Sequence, residues 1–579
     1  MKPRVFRKQC EGTEFRRPKD RPRGRQLRIS LTSETAYRIC CDNILWLSAG
    51  EGTLHVAATS RSEDQDLSAA IRVTGCKAAC IEICFRQRDL MRQPKQIVVG
   101  LFLLALLCLT NLHAAELRIG TATADITPPL PVALNGQFAL RIAYTAATPV
   151  TANVVALESR EGDRSLDTAV MVSCDLVGIP NDVLAMVRDE VHKRVPNLDV
   201  NKIFLSAIHT HTAPVLENDR YRIPKEGVTQ VDACKALFAQ RVADAIAQAW
   251  NGRHTGGVTW GLGHAVVGYN RRAAYADGSS RMYGDTNVPE FRSLEGYEDH
   301  DLNVLFFWNQ DGKLIATVIE VPCPAQEVEN DTVLNADFWH PVRVALRQRF
   351  GADLCVLGMV GAAGDQSPHL MYRKAAEERM RKLRNLSRTD EIARRIVAAV
   401  EDTYEVVKND RHFDAPLVHK AETIPLPMLL VSETEYTQAK AEVDNCATQI
   451  AADPKAADRL YMRMKWNQGV VDRFEKQKTD PQPKYTVEIH VLRIGDVALC
   501  TNPFELFTDY GIRIQARSKA LQTFVFQLTG AGTYLPTEKA LRGGSYSAVI
   551  QSNSVGPEGG QVLVDRTVEV INGLWPGGK

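Results

Sequence analysis

The chain has 579 residues, of which 45% are hydrophobic and 24% charged, and its formal net charge is +1. That length exceeds one ordinary domain, and that apolar share is enough to bury a large core. The near-balanced charge excludes a whole-molecule field that would steer the protein to nucleic acid or to an anionic membrane, so the expected partner is a small molecule and not a nucleic acid.

Residues up to Arg28 are crowded with Arg and Lys, and the stretch on to Leu90 shows no sustained apolar periodicity. Then Met91-Arg92-Gln93-Pro94-Lys95 precedes an apolar run from Ile97 to Leu109, followed by Leu112-His113-Ala114-Ala115. A basic start, a short apolar run and small residues at its end form the pattern of a secretory signal peptide. The run is shorter than the roughly 20 apolar residues a spanning helix needs. Residues 91–115 are therefore expected to be a signal peptide, and 1–90 a leader upstream of the true start at Met91. The expected product is secreted or periplasmic, with no stable membrane span after cleavage. A basic tail ahead of an uncleaved anchor is the alternative. Six of the 13 cysteines fall in the leader and Cys108 in the apolar run. Cys174, Cys234, Cys323, Cys355, Cys446 and Cys500 are spread too widely for a metal knuckle, and one or two disulfides among them are open in an exported protein.

From Leu117 onward, short β-branched runs alternate with amphipathic windows. Val170-Met171-Val172, Lys202–Leu205, Gly257–Trp260, Leu302–Phe307, Ile315–Val321, Cys355–Val360, Tyr485–Val491, Val497–Cys500 and Thr523–Leu528 read as strands. Asp182–Arg194, Ala233–Trp250, Pro341–Phe350 and Thr389–Thr403 read as helices. The alternation predicts an α/β fold of mixed β-sheets layered with helices, a single large catalytic domain over 116–579. Ser432 with Glu435 forms a capping box, and the helical pattern that follows breaks at Asp453-Pro454 and resumes to about Lys478. This predicts a helical hairpin inserted at about 432–480, whose Tyr461, Trp466 and Phe474 are expected to pack the hairpin itself.

Chemistry concentrates in a few motifs. Ser206-Ala207-Ile208-His209-Thr210-His211 sets two imidazoles one residue apart after the apolar run Ile203-Phe204-Leu205. On a strand end, the period-2 rule puts both rings on one face, a suitable pair of nitrogen donors for zinc; a hydrogen-bonded surface pair is the structural alternative. Gly358 to Pro368 reads as a strand entering a small-residue turn that exposes Ser367, or simply as a tight turn capped by Asp365 and Ser367.

The order of these motifs resembles the neutral ceramidases, the non-lysosomal zinc amidase family. The resemblance runs from Ile119-Gly120-Thr121-Ala122-Thr123-Ala124-Asp125-Ile126-Thr127-Pro128-Pro129 to Tyr546. It takes in His209-Thr210-His211, Asn270-Arg271, Gly364-Asp365-Gln366-Ser367-Pro368, Pro503-Phe504-Glu505, Tyr534 and Tyr546. It implies Zn2+ held by His209, Glu505 and Tyr534. It implies that His211, Arg271 and Tyr546 surround the reacting carbonyl of an N-acyl amide or lipid-like substrate, attacked by a zinc-bound water. Ser367 matches a serine once considered a nucleophile in that family, and is read here as shaping the site.

The chain departs from the family pattern at the second zinc histidine, where a gapless match puts Cys323-Pro324. A thiolate can ligate zinc, which makes Cys323 a candidate fourth ligand; His340 is a substitute, and a buried core thiol is the other reading. The asparagines flanking Gly-Asp-x-Ser-Pro are Ala362 and His369 here, and the stretch after Tyr546 is too short for the family's β-sandwich domain. Ceramide itself is thereby put in doubt. Two further readings stay open: a non-catalytic binding protein on this scaffold with a degraded metal site, and a serine hydrolase using Ser367.

Overall fold

A computed structural model describes residues 27–29, 43–50, 53–60, 68–74, 80–86 and 115–575. The chain divides into two compact units, Met1–Leu112 and His113–Lys579. In the first, Leu27–Ile29 and Ser68–Thr74 both pair antiparallel with Cys80–Arg86, and Asn43–Gly50 pairs with Thr53–Ser60. The apolar run read as a signal peptide lies outside the described residues.

The second unit is built on an eight-stranded sheet. In chain order its strands are β1 (Glu116–Asp125), β2 (Thr151–Glu161), β3 (Arg164–Cys174), β4 (Ile203–Ala207), β5 (His254–His264), β6 (Asp301–Asn309), β7 (Leu314–Val321) and β8 (Cys355–Val360). Their order across the sheet is β4-β3-β2-β1-β5-β6-β7-β8. The pairs β3/β4 and β7/β8 are parallel and the rest antiparallel. The sheet curls until its last strand meets its early ones, with Ser173 Oγ donating to Gly358 O at 2.6 Å. A four-stranded sheet packs on it, formed by β9 (Leu417–Pro427), β10 (Lys484–Ile494), β11 (Val497–Thr501) and β12 (Gln522–Phe526), with β11 and β12 parallel.

Strand periodicity decides which core each side chain enters. On β2, Val154 and Ala156 face helices α1 (Asn181–Arg194) and α2 (Val231–Asn251) through Val183, Phe238 and Val242. Their neighbours Val155 and Leu157 face the second sheet through Leu492, Leu499 and Phe526. The far half of the large sheet is covered by α3 (Trp339–Phe350) and α4 (Arg388–Val407). The second sheet is backed by helices Thr508–Arg517 and Pro557–Gly573. The result is a helix–sheet–sheet–helix stack, the mixed α/β layering expected from the sequence.

The helical insertion forms as read: Ser432 makes the full capping box with Glu435, and helices Glu433–Ala452 and Ala457–Gln477 meet at Pro454–Ala456. The open disulfide question resolves against pairing, because Cys174, Cys234, Cys323, Cys355, Cys446 and Cys500 are all free and buried. Among the described residues no helix is long and apolar enough to cross a membrane.

One consequence of this topology matters most for function. The C-terminal ends of β4, β7, β8 and β12 converge: Ala207 N donates to Leu528 O at 3.2 Å, Gln527 N to Val360 O at 3.0 Å, and Gly361 N to Val321 O at 3.0 Å. Loops leaving carboxyl ends of strands are the usual place for ligands in layered α/β proteins. The loops leaving this rim carry His209, Cys323, Gly364–Pro368 and Tyr534, and the loop after the adjoining β11 carries Glu505.

A candidate metal centre at the sheet rim

The His-Thr-His motif does not follow strand geometry. β4 stops at Ala207, and His209 adopts φ +67°, so the two rings are aimed by a turn instead of a pleat. They still lie together, with ring centroids 4.8 Å apart. His209 Nδ1 donates to Val177 O at 2.6 Å, which orients the ring and turns Nε2 toward Glu505. That nitrogen stands 3.4 Å from Glu505 Oε2.

Glu505 is set by two close backbone approaches. It sits on a short strand, Glu505-Leu506, paired parallel with Tyr534-Leu535, so carboxylate and phenol project from adjacent register positions. Gly364 N donates to Leu506 O at 2.7 Å on one flank, and a Cβ at Gly364 would lie 2.8 Å from the Glu505 carbonyl carbon. On the other flank a Cβ at Gly532 would lie 2.5 Å from Pro503 C. Only glycine admits both contacts. Asp365 completes the support by accepting from Thr508 N at 2.8 Å and from Asn270 Nδ2 at 3.1 Å. The Gly-Asp-x-Ser-Pro turn thus places the strand that carries Glu505.

Arg271, 1% exposed, ties the centre together. Its Nη2 donates to Gly364 O at 2.9 Å and Tyr534 Oη at 3.3 Å and stands 3.7 Å from Glu505 Oε2. Its Nη1 donates to Gln326 Oε1 and to Tyr283 Oη, both at 3.2 Å. Burial alone would raise the Glu505 carboxyl, but His209, Arg271 and the Tyr534 hydroxyl outweigh it and hold it below its ordinary value. Burial and the Glu505 charge push the Tyr534 phenol well up. The neighbouring Arg272 makes a buried bidentate pair with Glu295 at 2.6 and 3.1 Å and donates to Ser547 Oγ at 3.0 Å, pinning the turn that presents Tyr546.

His211 turns away from His209's partners. Its Nε2 meets Gln326 Nε2 at 2.8 Å, and its Nδ1 lies 3.4 Å from Glu329 Oε2. Burial, then His209 and Arg141, push its pKa well down. Glu329 also faces His369 Nδ1 at 3.6 Å. Gln326 and Glu329 escape the sequence reading because each is a lone polar residue in a loop, with no spacing pattern to mark it. Tyr546 is the accessible member: it is 39% exposed, and its ring stands 5.8 Å from Tyr534.

Other sequence candidates fall outside this cluster. Cys323 is fully buried in an apolar cluster with Phe338 and Trp339, and its thiol donates to Val267 O at 3.5 Å; no hydrogen bond links it to His209, Glu505 or Tyr534. Burial pushes that thiol well up. His340 begins α3, where the charges acting on it are Arg343, Asp175 and Arg347. Ser367 is fully buried on a two-residue strand and accepts from His369 N at 3.2 Å, with no imidazole paired to its hydroxyl.

Two of the candidate donors are spaced as zinc ligands would be. Two donors at about 2.0–2.1 Å from a tetrahedral zinc stand about 3.3 Å apart, and the 3.4 Å between His209 Nε2 and Glu505 Oε2 matches that edge. Among the described residues no three His, Cys, Asp or Glu side chains converge to hold a metal.

No family model matches the sequence, and no curated protein is significantly similar to it. Among solved structures, neutral ceramidase from Pseudomonas aeruginosa is similar over 79% of this chain and 74% of its own, at 15% identity and a TM-score of 0.57. A ceramidase complexed with C2 is similar over 79% and 75%, at 14% identity and a TM-score of 0.56. At such identity the likeness is one of fold, and the fold of this chain is the neutral-ceramidase-like α/β architecture that its motif order implies.

Proposed function

We propose that the protein is an exported, zinc-dependent hydrolase of amide bonds acting on an N-acyl, lipid-like small molecule. The observation that carries the reading is the convergence of His209 Nε2, Glu505 Oε2 and the Tyr534 phenol around Arg271, from three distant stretches of chain. Three protein donors with a fourth position left open is the pattern of catalytic zinc. The neutral-ceramidase-like fold supports an amide substrate.

Zinc held by these donors would supply Lewis acidity, lowering the pKa of a water and polarising the amide carbonyl. The chain's own residues do the rest. Arg271 neutralises Glu505 and holds the Tyr534 oxygen in place. Burial and the Glu505 charge push the Tyr546 phenol up to about 12, so it stays protonated at neutral pH. Its exposed ring can bring that hydroxyl to the substrate, where it donates to the oxyanion as the carbonyl becomes tetrahedral. His211 Nε2 accepts from Gln326 Nε2, which suits it to holding Gln326 in position beside the reacting carbonyl.

The test is metal analysis of the purified protein together with a screen of N-acyl amides. The reading expects one zinc per chain, lost together with activity in Glu505→Ala. The placement of Cys323 in the core favours a second reading, a binding protein on the same scaffold without a metal. Well-folded, metal-free protein that retains ligand affinity would establish that one instead.

A further inference from the structure

The helical insertion is held down by contacts that leave one large side chain unaccounted for. Ala439, Val470, Tyr436 and Phe474 pack with Val431 and Ile550, while Ile450, Ala457 and Tyr461 close the hairpin's far end. Met462 packs against the cluster of Ala133, Val215 and Tyr221. Asp458 O accepts from Leu140 N at 2.8 Å, and Arg473 Nη1 donates to Ile550 O at 2.9 Å. Trp466 belongs to none of these clusters.

Its ring meets two others that lie beside the candidate metal centre. Trp466 stands 5.5 Å from Phe138 and 5.7 Å from Tyr546, and Phe138 stands 5.9 Å from Tyr546. Tyr546 in turn contacts Tyr534. Phe138 follows Gly136, which presses on the His211 ring so closely that a Cβ there would lie 2.6 Å from His211 Cβ. Three half-exposed rings from three distant segments therefore share one surface at the edge of the centre.

The Gln137 carbonyl and the Asn467 and Gln551 side chains beside this surface are engaged within the protein, so its polar atoms reduce to the ring-borne hydroxyl and indole N–H. Gln137 O accepts from the Tyr221 hydroxyl, Asn467 Nδ2 donates to Arg463 O at 3.0 Å, and Gln551 Nε2 donates to Asn467 Oδ1 at 3.2 Å. A platform for a sugar or a polar headgroup needs free donors and acceptors beside the rings. An alkyl chain needs only the rings.

We infer that Phe138, Trp466 and Tyr546 form the wall that binds the apolar acyl chain of the substrate, and that the helical insertion, through Trp466, sets the preference for chain length. This inference rests on the amide-hydrolase reading. Each methylene buried against the wall should raise kcat/KM about fourfold until the wall is covered.

The experiment compares acetyl, hexanoyl and lauroyl amides of one amine, measuring kcat/KM with the zinc-loaded protein and affinity by calorimetry with Glu505→Ala. In the parent the lauroyl compound should lead in both. Trp466→Ala should lose more than about tenfold on lauroyl, two methylenes' worth of contact, and clearly less on acetyl, which flattens the chain-length profile. Trp466→Phe, which keeps a ring, should restore most of the loss, and thermal melts confirm that each variant is folded. Chain-length-dependent binding without hydrolysis would sink the hydrolase reading and leave the wall standing. Hydrolysis with an identical chain-length profile in parent and Trp466→Ala would overturn the wall and leave the hydrolase standing.

Discussion

Gly364→Ala tests whether the Gly-Asp-x-Ser-Pro turn acts by placing Glu505. The added methyl would press into the Glu505 carbonyl oxygen and lie 2.8 Å from its carbonyl carbon and 2.9 Å from Phe507 Cδ1. Carbon contacts relax at about 3.5–4.0 Å, so strand or turn must yield by about 0.6 Å or more. Both are anchored, the turn by Arg271 Nη2 on Gly364 O and the strand by its pairing with Tyr534-Leu535. Overpacking of this kind costs about 1–3 kcal/mol of stability. A shift approaching 1 Å at a reacting centre costs about a hundredfold in rate. The expected outcome is a modest fall in melting temperature, weaker retention of zinc under chelator challenge, and a loss of kcat far larger than the stability change. Gly469→Ala is the control: a Cβ there meets nothing within 4 Å and lies mid-helix, so it should stabilise by about 0.5–1 kcal/mol with activity intact. Full zinc retention and parental kcat in Gly364→Ala would refute the assignment.

Three more outcomes follow from the same geometry. Cys323→Ser should leave zinc stoichiometry unchanged by metal analysis, since the thiol is spent on Val267 O; loss of the metal would make it a ligand after all. Tyr546→Phe should lower kcat by about 10²–10³ with KM nearly constant, the usual cost of removing one oxyanion donor, and an unchanged kcat would remove Tyr546 from the chemistry. The third concerns acid stability. Glu488 is held down to about 2 because hydrogen bonds from His490 and Arg188 outweigh its burial, and burial also lowers His419 and His490 below 6.5. A depressed carboxylate contributes stability above its unfolded value of about 4.5 that is lost as pH falls toward about 2. Depressed histidines likewise lose theirs as pH falls below 6.5. Melting temperature should therefore decline below pH 6.5 and again below about 4.5, and Glu488→Gln should lower it at neutral pH while flattening the second decline. A parallel pH curve in the variant would contradict this.

How much was legible in the sequence depends on the range of the interaction that decides each feature. β8 is read to the residue as Cys355–Val360, and the hairpin from its capping box, because local pattern decides both. Helix Lys374–Leu383 goes unread because its apolar stripe is only Ala376, Met380 and Leu383, too short to stand out, and none of its residues is buried. The two histidines are visible as a pair, but their aim is not, since it turns on the left-handed backbone of His209 and on Val177 O. Trp466 has helical spacing that reads as hairpin packing, yet its neighbours are Phe138 and Tyr546, joined to it only by the tertiary fold.

The same distinction explains why this centre has an imidazole, a carboxylate and a phenol drawn from loops so far apart in sequence. Each donor alone has an unremarkable local setting: a turn after β4, a two-residue strand, and a loop after β12. What makes them a site is the curl of the large sheet, which brings the carboxyl ends of β4, β7 and β8 to those of the second sheet's parallel pair. At the centre of that ring His209 and Arg271 together hold the Glu505 carboxyl below its ordinary value against the opposing effect of burial. On the proposed zinc reading, a carboxylate with an imidazole nitrogen 3.4 Å away and a phenol in the adjacent register position form the donor set a divalent cation would meet. The donor arrangement is thus a product of the fold, and any substitution that uncurls the rim should scatter the donors without touching one of them.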